Sequence, residues 1–316
     1  MLEALFNTAL DISAFVHFIV SLPAMYIVFR YSPKSMDSLP WIILDIMTWN
    51  LLGNVFSCML HIHPLFPAEC FRFDGLMALL TTNEYVAHVL CGCIVACILN
   101  GCVALWFSFP YRYVVFVHPE LFKALGKIWI FVFCASLHTA ACLLVIYVSL
   151  QFFVSYGNYP IRDELPPPEG VYCFWPYGLG KNLMAIGYFL SILVTIIIVI
   201  VFSLLLRTHL VKIKNSLTRK TLELHRKFLF YLLISTTVPL IFGAVPLTIS
   251  LLCAIFPHFP YSREITMITT FIAANHGTIY SVVSIVTFRP YFMVARRMVG
   301  NLFRRSSNAV QSFTVS

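Results

Sequence analysis

The sequence has few charged residues. Only 11% of its 316 residues are Asp, Glu, Lys or Arg, while 60% are hydrophobic and the mean hydropathy is +0.87. Soluble domains carry about a quarter charged residues because their surfaces meet water. A chain with under half that share lacks the polar surface of a soluble protein, so we expect most of it to lie in lipid.

Long apolar runs account for most of the chain. A run of about 20 residues crosses a hydrocarbon core of about 30 Å, and its backbone amides must then be hydrogen-bonded within a helix. We therefore predict an all-α integral membrane protein, a bundle of seven transmembrane helices that forms one domain over residues 1–305. The predicted spans are residues 7–29, 40–60, 76–109, 128–150, 182–206, 228–256 and 266–288. The third is overlong, which predicts tilt or projection from the bilayer.

Lysine and arginine are absent from the predicted spans. The 21 basic residues lie in the connecting segments, with 4 in one alternating set and 17 in the other. Basic loops stay in the cytoplasm, so the amino terminus is predicted to be outside and the carboxyl terminus cytoplasmic. The net charge of +8 follows from this topology and from attraction to membrane lipid. It does not indicate binding to nucleic acid.

The residues that several kinds of chemistry require are absent from this sequence. A retinal-based pump needs a lysine in its last span, and residues 266–288 contain none. His61 and His63 stand two apart with no evident third ligand, so we predict no metal site. No pattern brings a nucleophile and a base together, and we predict neither an enzyme nor a cofactor.

Two of the ten cysteines stand outside the predicted spans. Cys70 precedes the third span and Cys173 lies in the long outer loop 151–181, both on the side predicted to be oxidising. We predict a disulfide between them that ties this loop to the tip of the third helix; two free thiols are the alternative. Prolines 166–168 favour an extended course, so the loop could lie across the bundle as a lid.

Polar residues near the outer ends of the spans are the candidates for ligand contact. Glu84 and His88 are four apart and share a face of the third helix, with Asn83 beside them. Ionisable groups within a span are functional candidates because lipid does not tolerate them unpaired. A structural Glu–His hydrogen bond, or contact of both side chains with the outer water, is the alternative. His276 has the same ambiguity.

The second half of the chain has two further features. Pro239 and Pro246 lie within the sixth span, where each removes a backbone donor and predicts a kink that can act as a hinge. Apolar residues at helical spacing oppose arginines after the seventh span, which predicts a short amphipathic eighth helix on the inner membrane surface. Residues 306–316 are predicted to be a short, disordered cytoplasmic tail.

Motifs along the whole chain carry a family resemblance. They are Ser32-Pro33-Lys34-Ser35-Met36 in the first inner loop, Pro64-Leu65-Phe66-Pro67 with Cys70 in the first outer loop, and His276-Gly277 through Arg289-Pro290-Tyr291 at the last span. Together with the topology they resemble the nematode serpentine chemoreceptors, which are seven-helix G-protein-coupled receptors. Classes H and I (Srh and Sri) are the most similar, with class I slightly favoured.

This resemblance implies a chemosensory receptor that binds a small external molecule and signals through a heterotrimeric G protein. Pro110-Tyr111-Arg112-Tyr113 takes the place of the Asp-Arg-Tyr motif of rhodopsin-like receptors, with Tyr111 where the acid would be. The implied G-protein contacts are Tyr111, Arg112 and Tyr113, with Arg219, Lys220 and Arg226 from the basic inner loop. A solvated anchor is the alternative for Arg112. The resemblance also implies the plasma membrane of sensory neuron cilia.

A transporter or channel subunit is the main alternative function. It would need acidic residues along an ion pathway through the middle of several spans. The acids within the predicted spans are Asp11, Asp45 and Glu84, and all lie toward span ends. An intramembrane hydrolase would need His and Asp ligands clustered on one side of the membrane, which a zinc analysis would detect. The positions of the acids favour a receptor.

Overall fold

The computed structural model describes residues 2–33, 39–213 and 219–314, and most of them are helical. Lys34, Ser35 and Met36 of the first motif, and residues 315–316 of the tail, lie outside the described residues. The helices are α1 (Leu2–Tyr31), α2 (Leu39–Leu60), α3 (Glu84–Val117), α4 (Pro119–Phe152), α5 (Leu179–Lys212), α6 (Arg219–Val238), α7 (Val245–Ile255), α8 (Ser262–Thr287) and α9 (Arg289–Thr314).

The helices form the predicted membrane bundle. Within the described ranges, six helical segments are long and apolar enough to cross a membrane, α6 and α7 contributing one of them together. α8 meets this criterion jointly with the first part of α9, from which it is bent by 102°. Polar residues lower the hydropathy of α8, and two of them, Asn275 and His276, contact other helices of the bundle. The described residues therefore contain six or seven membrane-capable helices, which is consistent with the predicted bundle of seven.

The bundle is apolar outside and polar inside. Ile19, Ile186 and Leu193 are each more than half exposed on its outer surface. Ser13 is buried and donates a hydrogen bond to Asn275 at 2.8 Å, which joins α1 to α8. Lipid offers side chains no hydrogen bonds, so polar groups satisfy one another between helices. This pattern is the one expected of a protein whose surroundings are hydrocarbon.

The third helix begins later than predicted, at Glu84 rather than near residue 76. Asn83 caps it, because the backbone N–H of Tyr85 donates to Asn83 Oδ1 at 2.9 Å. A short 3-10 turn, Leu76–Leu79, lies where the sequence predicts the first residues of the third span. The helix then continues to Val117, so its length is close to the prediction while its position is shifted along the chain.

The last helix is longer than expected. α9 runs to Thr314, so residues 306–314 are helical where we predicted a disordered tail. These residues contain neither proline nor glycine, and no other strong helix breaker ends the pattern.

A four-stranded antiparallel sheet covers one end of the bundle, which departs from the all-α prediction. Its strands are β1 (Ile62–Pro64), β2 (Cys70–Phe73), β3 (Phe153–Val154) and β4 (Val171–Phe174), in the order β1-β2-β4-β3. Cys70 lies opposite Cys173 in the β2–β4 register, and the two form the predicted disulfide. The bridge joins two strands, so the expectation that it would hold the tip of the third helix was wrong.

Charged side chains fasten the sheet to the ends of α1 and α8. Arg72 of β2 donates to Glu3 of α1 at 2.6 Å and to Asp74 at 3.0 Å, and Arg263 at the start of α8 also contacts Glu3. Burial alone would raise the pKa of Asp74, but hydrogen bonds from Arg72 and Asn7, together with the charges of His63 and Arg72, outweigh it and lower that pKa. The sheet therefore lies at the same end of the bundle as the amino terminus.

The sixth span changes helix type at its prolines. A π-helical turn, Pro239–Ala244, separates α6 from α7, and Pro246 is the second residue of α7. Proline cannot donate to the carbonyl one turn back, and a wider turn accommodates the missing bond. The prolines predicted to interrupt this span thus lie at its change of geometry.

Gly277 lets α1, α2 and α8 approach closely. A Cβ at this position would lie 2.9 Å from His17 Cε1 and 3.0 Å from Asn50 Cβ. We expect Gly277→Ala to lower the free energy of unfolding by about 1–3 kcal/mol, because the crowded side chains must shift. Thermal unfolding of the purified protein in detergent measures this. Gly187→Ala is the control, since its Cβ would meet nothing within 4 Å, and equal stability of the two variants would contradict the prediction.

Candidate ligand-binding site

A cavity of about 420 Å³ lies among α2, α3, α5, the sixth span and α8. Its wall is mostly apolar. Aromatic side chains of the sheet, Phe71, Tyr172 and Phe174, line the end nearest the strands. Binding sites for small molecules usually have this volume, this apolar wall and a few polar groups. The cavity can therefore hold a small, largely apolar molecule.

The first polar group of the cavity wall is a histidine–asparagine pair. His276 Nδ1–H of α8 donates to the Ala273 carbonyl at 2.5 Å, and its Nε2 lies 3.0 Å from Asn50 Oδ1 of α2. The amide nitrogen of Asn50 is buried and has no hydrogen-bond partner among the described residues. The side-chain amide of Asn50 has an oxygen and an NH2 group. Whichever of the two faces the His276 ring, the other can form a hydrogen bond with a ligand. The predicted ligand residue His276 does line the cavity.

The second polar group is an ion pair beneath the sheet. Lys181 of α5 contacts the carboxylate of Glu69, which is only 5% exposed, and donates to the Pro176 carbonyl at 3.0 Å. Both charged residues line the cavity. Burial raises the pKa of Glu69 to about 7, although the contact with Lys181 opposes the shift. A small change in surroundings can therefore alter the charge at this end of the cavity.

Glu84 is not among the residues that line the cavity. The Ser155 hydroxyl donates to Glu84 Oε1 at 2.7 Å, and the backbone N–H of Tyr156 donates to Oε2 at 2.9 Å. Both carboxylate oxygens therefore hold the loop that follows β3. The neighbouring Asn83 caps α3, as described above, and also does not line the cavity. In the structure these two residues position the helix and the loop, and their contact with a ligand stays a prediction.

His88 likewise holds the sheet. Its Nε2–H donates to the Cys173 carbonyl at 2.9 Å, and its ring stacks on Phe153 with centroids 4.5 Å apart. Glu84 and His88 do lie on the same side of α3, as their spacing predicted. That side of α3 faces the sheet. His88 therefore holds in place the sheet that covers the cavity, but it does not line the cavity itself.

Sequence comparison gives the family of the chain. Residues 3–301 match the family described as Serpentine type 7TM GPCR chemoreceptor Srh. The chain belongs to this family. Srh is class H, so our slight preference for class I was wrong. The family consists of chemoreceptors and is not an enzyme family, and its members are multi-pass membrane proteins. A search of curated proteins found no match.

The residues of this Srh chain that are predicted to contact a G protein lie at the end of the bundle opposite the sheet. Those on α3 pack against α4, α5 and α6. Tyr111 is buried, with its ring 5.9 Å from that of Phe122. Arg112 is half-buried and lines a small cavity of about 10 Å³ with residues of α5 and α6. Tyr113 lies edge-on to Phe202 with centroids 5.6 Å apart.

The remaining predicted G-protein contacts lie on α6. Arg226 is exposed, whereas the side chains of Arg219 and Lys220 lie outside the described part of the chain. Arg226 precedes by three residues in the chain Leu229, the α6 residue that lines the small cavity with Arg112.

A polar network in the Srh bundle includes residues that sequence reasoning did not place together. Asp45 accepts from Trp49 Nε1 at 2.9 Å and lies 3.1 Å from His138 Nε2, while His138 Nδ1 lies 2.7 Å from Asn100 Oδ1. These contacts join α2, α3 and α4. Asp45 and Trp49 are one turn apart on α2, but Asn100 and His138 are far from them in the chain, and no local spacing relates the three helices. Lys181 and Asn50 in the cavity wall were missed for the same reason.

Proposed function

We propose that this chain is a chemosensory receptor whose ligand occupies the central cavity and whose response is a movement of the sixth span. The ligand enters from the end that carries the sheet, and a heterotrimeric G protein binds at the opposite end. The observation that carries this proposal is the cavity itself, because it lies between the sheet and the π-helical turn of the sixth span.

The contacts around the π-helical turn support a coupling between ligand and helix. Pro239, Leu240, Gly243 and Ala244 all line the cavity. A Cβ on Gly243 would lie 3.5 Å from the ring of His276, so the turn packs directly on a polar group of the cavity. A ligand that binds two arrangements of this turn with different affinities shifts their populations. Movement of α6 would then change the surface near Arg112.

The cavity wall favours a ligand with an apolar body and a polar group. Most of the lining is aliphatic or aromatic, which suits an odorant or a lipid-like molecule. The polar group would meet the free amide end of Asn50 together with His276, or the Glu69–Lys181 pair. Asn83, Glu84 and His88 act indirectly in this proposal, by holding the sheet over the cavity.

The distribution of basic residues and the disulfide support the proposed orientation. The bridged sheet lies at the amino-terminal end of the bundle, and disulfides persist on the oxidising side of a membrane. Both observations favour an amino terminus outside the plasma membrane and α9 in the cytoplasm. The bend of 102° after α8 suits an amphipathic helix on the inner surface. Location in sensory cilia rests on the family.

The proposed G-protein surface is built on α3 and α6. Tyr111, Arg112 and Tyr113 contribute from α3, and Arg226 contributes from α6. Arg219 and Lys220 belong to the same basic segment of the sequence. Because basic side chains also attract anionic lipid, binding of the G protein to this surface requires a direct functional test.

A ligand screen with a filled-cavity variant tests the proposed function. Gly101 lines the cavity, and a Cβ there would meet nothing within 4 Å. The side chain in Gly101→Leu would occupy ligand space, so we expect agonist potency to fall by about tenfold or more, a loss of at least about 1.4 kcal/mol of binding free energy. The measurement is G-protein activation by small odorant and lipid-like molecules in cells expressing the chain.

The matched control is Gly187→Leu in α5. Its side chain also meets open space, but Gly187 does not line the cavity. This variant should respond like the wild type at equal surface expression. Unchanged agonist potency in Gly101→Leu would show that the ligand binds elsewhere.

A further inference from the structure

Three metal-ligating side chains meet near the sheet, and none of the three lines the central cavity. Asp11 comes from α1, Cys58 from the last turn of α2, and His61 from the residue before β1. Their donor atoms all lie within 4.8 Å of one another, and His61 Nε2 is 3.4 Å from Asp11 Oδ1. A tetrahedral zinc ion with bonds of about 2.0–2.3 Å separates its ligand atoms by about 3.3–3.8 Å. The cluster is therefore close to the size of a zinc site.

One ring nitrogen of His61 points into this cluster without making a hydrogen bond there. The residue is only 2% exposed, and its Nε2 is buried without a hydrogen bond to any described residue. A buried polar atom with no partner costs free energy, so an additional partner is expected.

We propose that Asp11, Cys58 and His61 bind a zinc ion at the amino-terminal end of the bundle. A thiolate, an imidazole and a carboxylate form a typical donor set for zinc. Three protein ligands leave a fourth position for water or another ligand. The Asp11 side chain is 58% exposed, so the cluster is open on that side. Binding would join α1 to the junction of α2 and β1.

The site differs from another cluster of similar composition. Asp45, Cys134 and His138 also lie close together, but both ring nitrogens of His138 already have partners. His138 is therefore satisfied without a metal, whereas His61 is not. The sequence could not suggest the proposed site, because His61 and His63 appear as a pair while the other ligands come from Asp11 and Cys58. His63 instead donates to Asn7 Oδ1 at 2.7 Å.

Metal titration of the purified full-length chain in detergent tests the proposal. After treatment with a chelator, we expect the wild type to bind one Zn²⁺ per chain, measured by elemental analysis after desalting. With Co²⁺ as the probe, the complex should show thiolate-to-cobalt charge-transfer absorption. Cys58→Ser should abolish this absorption. Asp11→Asn changes an exposed ligand and should weaken zinc binding by at least about tenfold, as loss of supporting groups at metal sites already does.

Matched variants separate this site from other thiols and imidazoles. Cys93→Ser changes a half-buried thiol, and His258→Asn changes a side chain that is 74% exposed, so both should bind zinc like the wild type. Zinc should raise the unfolding temperature of the wild type and of these controls, but not that of Cys58→Ser. If the folded wild type binds no zinc, or if Asp11→Asn and Cys58→Ser bind it with wild-type affinity, the proposal is wrong. This test does not depend on whether the receptor signals.

Discussion

Replacing Cys173 with Ser is expected to remove most of the receptor from the cell surface. The bridge with Cys70 spans 103 residues, and a loop of this length contributes about 4–5 kcal/mol in the chain-entropy description of disulfides. Such a loss is comparable with the whole stability of many domains. The bridge also pins β2 to β4, the strands whose aromatic residues close the cavity. Antibody staining of an extracellular tag on intact cells measures the surface fraction.

Additional cysteine variants make this prediction specific to the bridge. Cys70→Ser and the double variant Cys70→Ser/Cys173→Ser should each be as impaired as Cys173→Ser, because either change breaks the same bond. Cys93→Ser removes a thiol that is free in the structure and should reach the surface normally. Normal surface expression and unfolding temperature of Cys173→Ser would show that the bridge does not stabilise the receptor.

The partners of this disulfide could be predicted from the sequence, but the surrounding structure could not. Membrane topology placed Cys70 and Cys173 on one side, which was sufficient to pair them. The strands that contain them have four residues each, and β1 and β3 are shorter still. Runs this short do not show the alternation that identifies a strand. The sheet was therefore missed, and with it the separation of Cys70 from the third helix.

The membrane helices were more predictable than the side chains that line the cavity. Apolar length alone identifies a span, because lipid requires every backbone bond to be made within it. Spacing showed that Glu84 and His88 share a face, but it could not show that this face meets the sheet. The contact between Asn50 and His276 joins residues 226 apart in the chain. Contacts of this kind depend on how the helices pack, which no local pattern records.

Replacing Lys181 with Met is expected to destabilise the receptor more at pH 8 than at pH 6. Removing one member of a buried ion pair typically costs about 3–5 kcal/mol, because the other charge is left buried and unpaired. The pKa of Glu69 is about 7 in the folded protein, above its ordinary value of 4.5. Its contribution to stability is therefore fully present below pH 4.5 and is lost as the pH rises through 7.

The loss of Lys181 raises this pKa further, so protonation of Glu69 limits the damage at pH 6. At pH 8, the wild type pairs the carboxylate with lysine and the variant cannot. Thermal unfolding of both proteins in detergent at the two pH values measures the difference. The double variant Glu69→Gln/Lys181→Met has no carboxylate that could be left buried without its lysine. It should therefore be more stable than Lys181→Met at pH 8. An equal loss at both pH values would contradict this account of the pair.

The double variant also separates stability from recognition. Replacing a buried ion pair with uncharged residues of similar volume is often neutral or stabilising, so this pair is weak evidence of a stabilising role. Both charges line the cavity, where they are the charged groups among mostly apolar walls. If the ligand's polar group binds there, the double variant should fold and reach the surface yet lose agonist potency by about tenfold or more. Wild-type agonist potency in this variant would instead indicate that the ligand's polar group contacts Asn50 and His276.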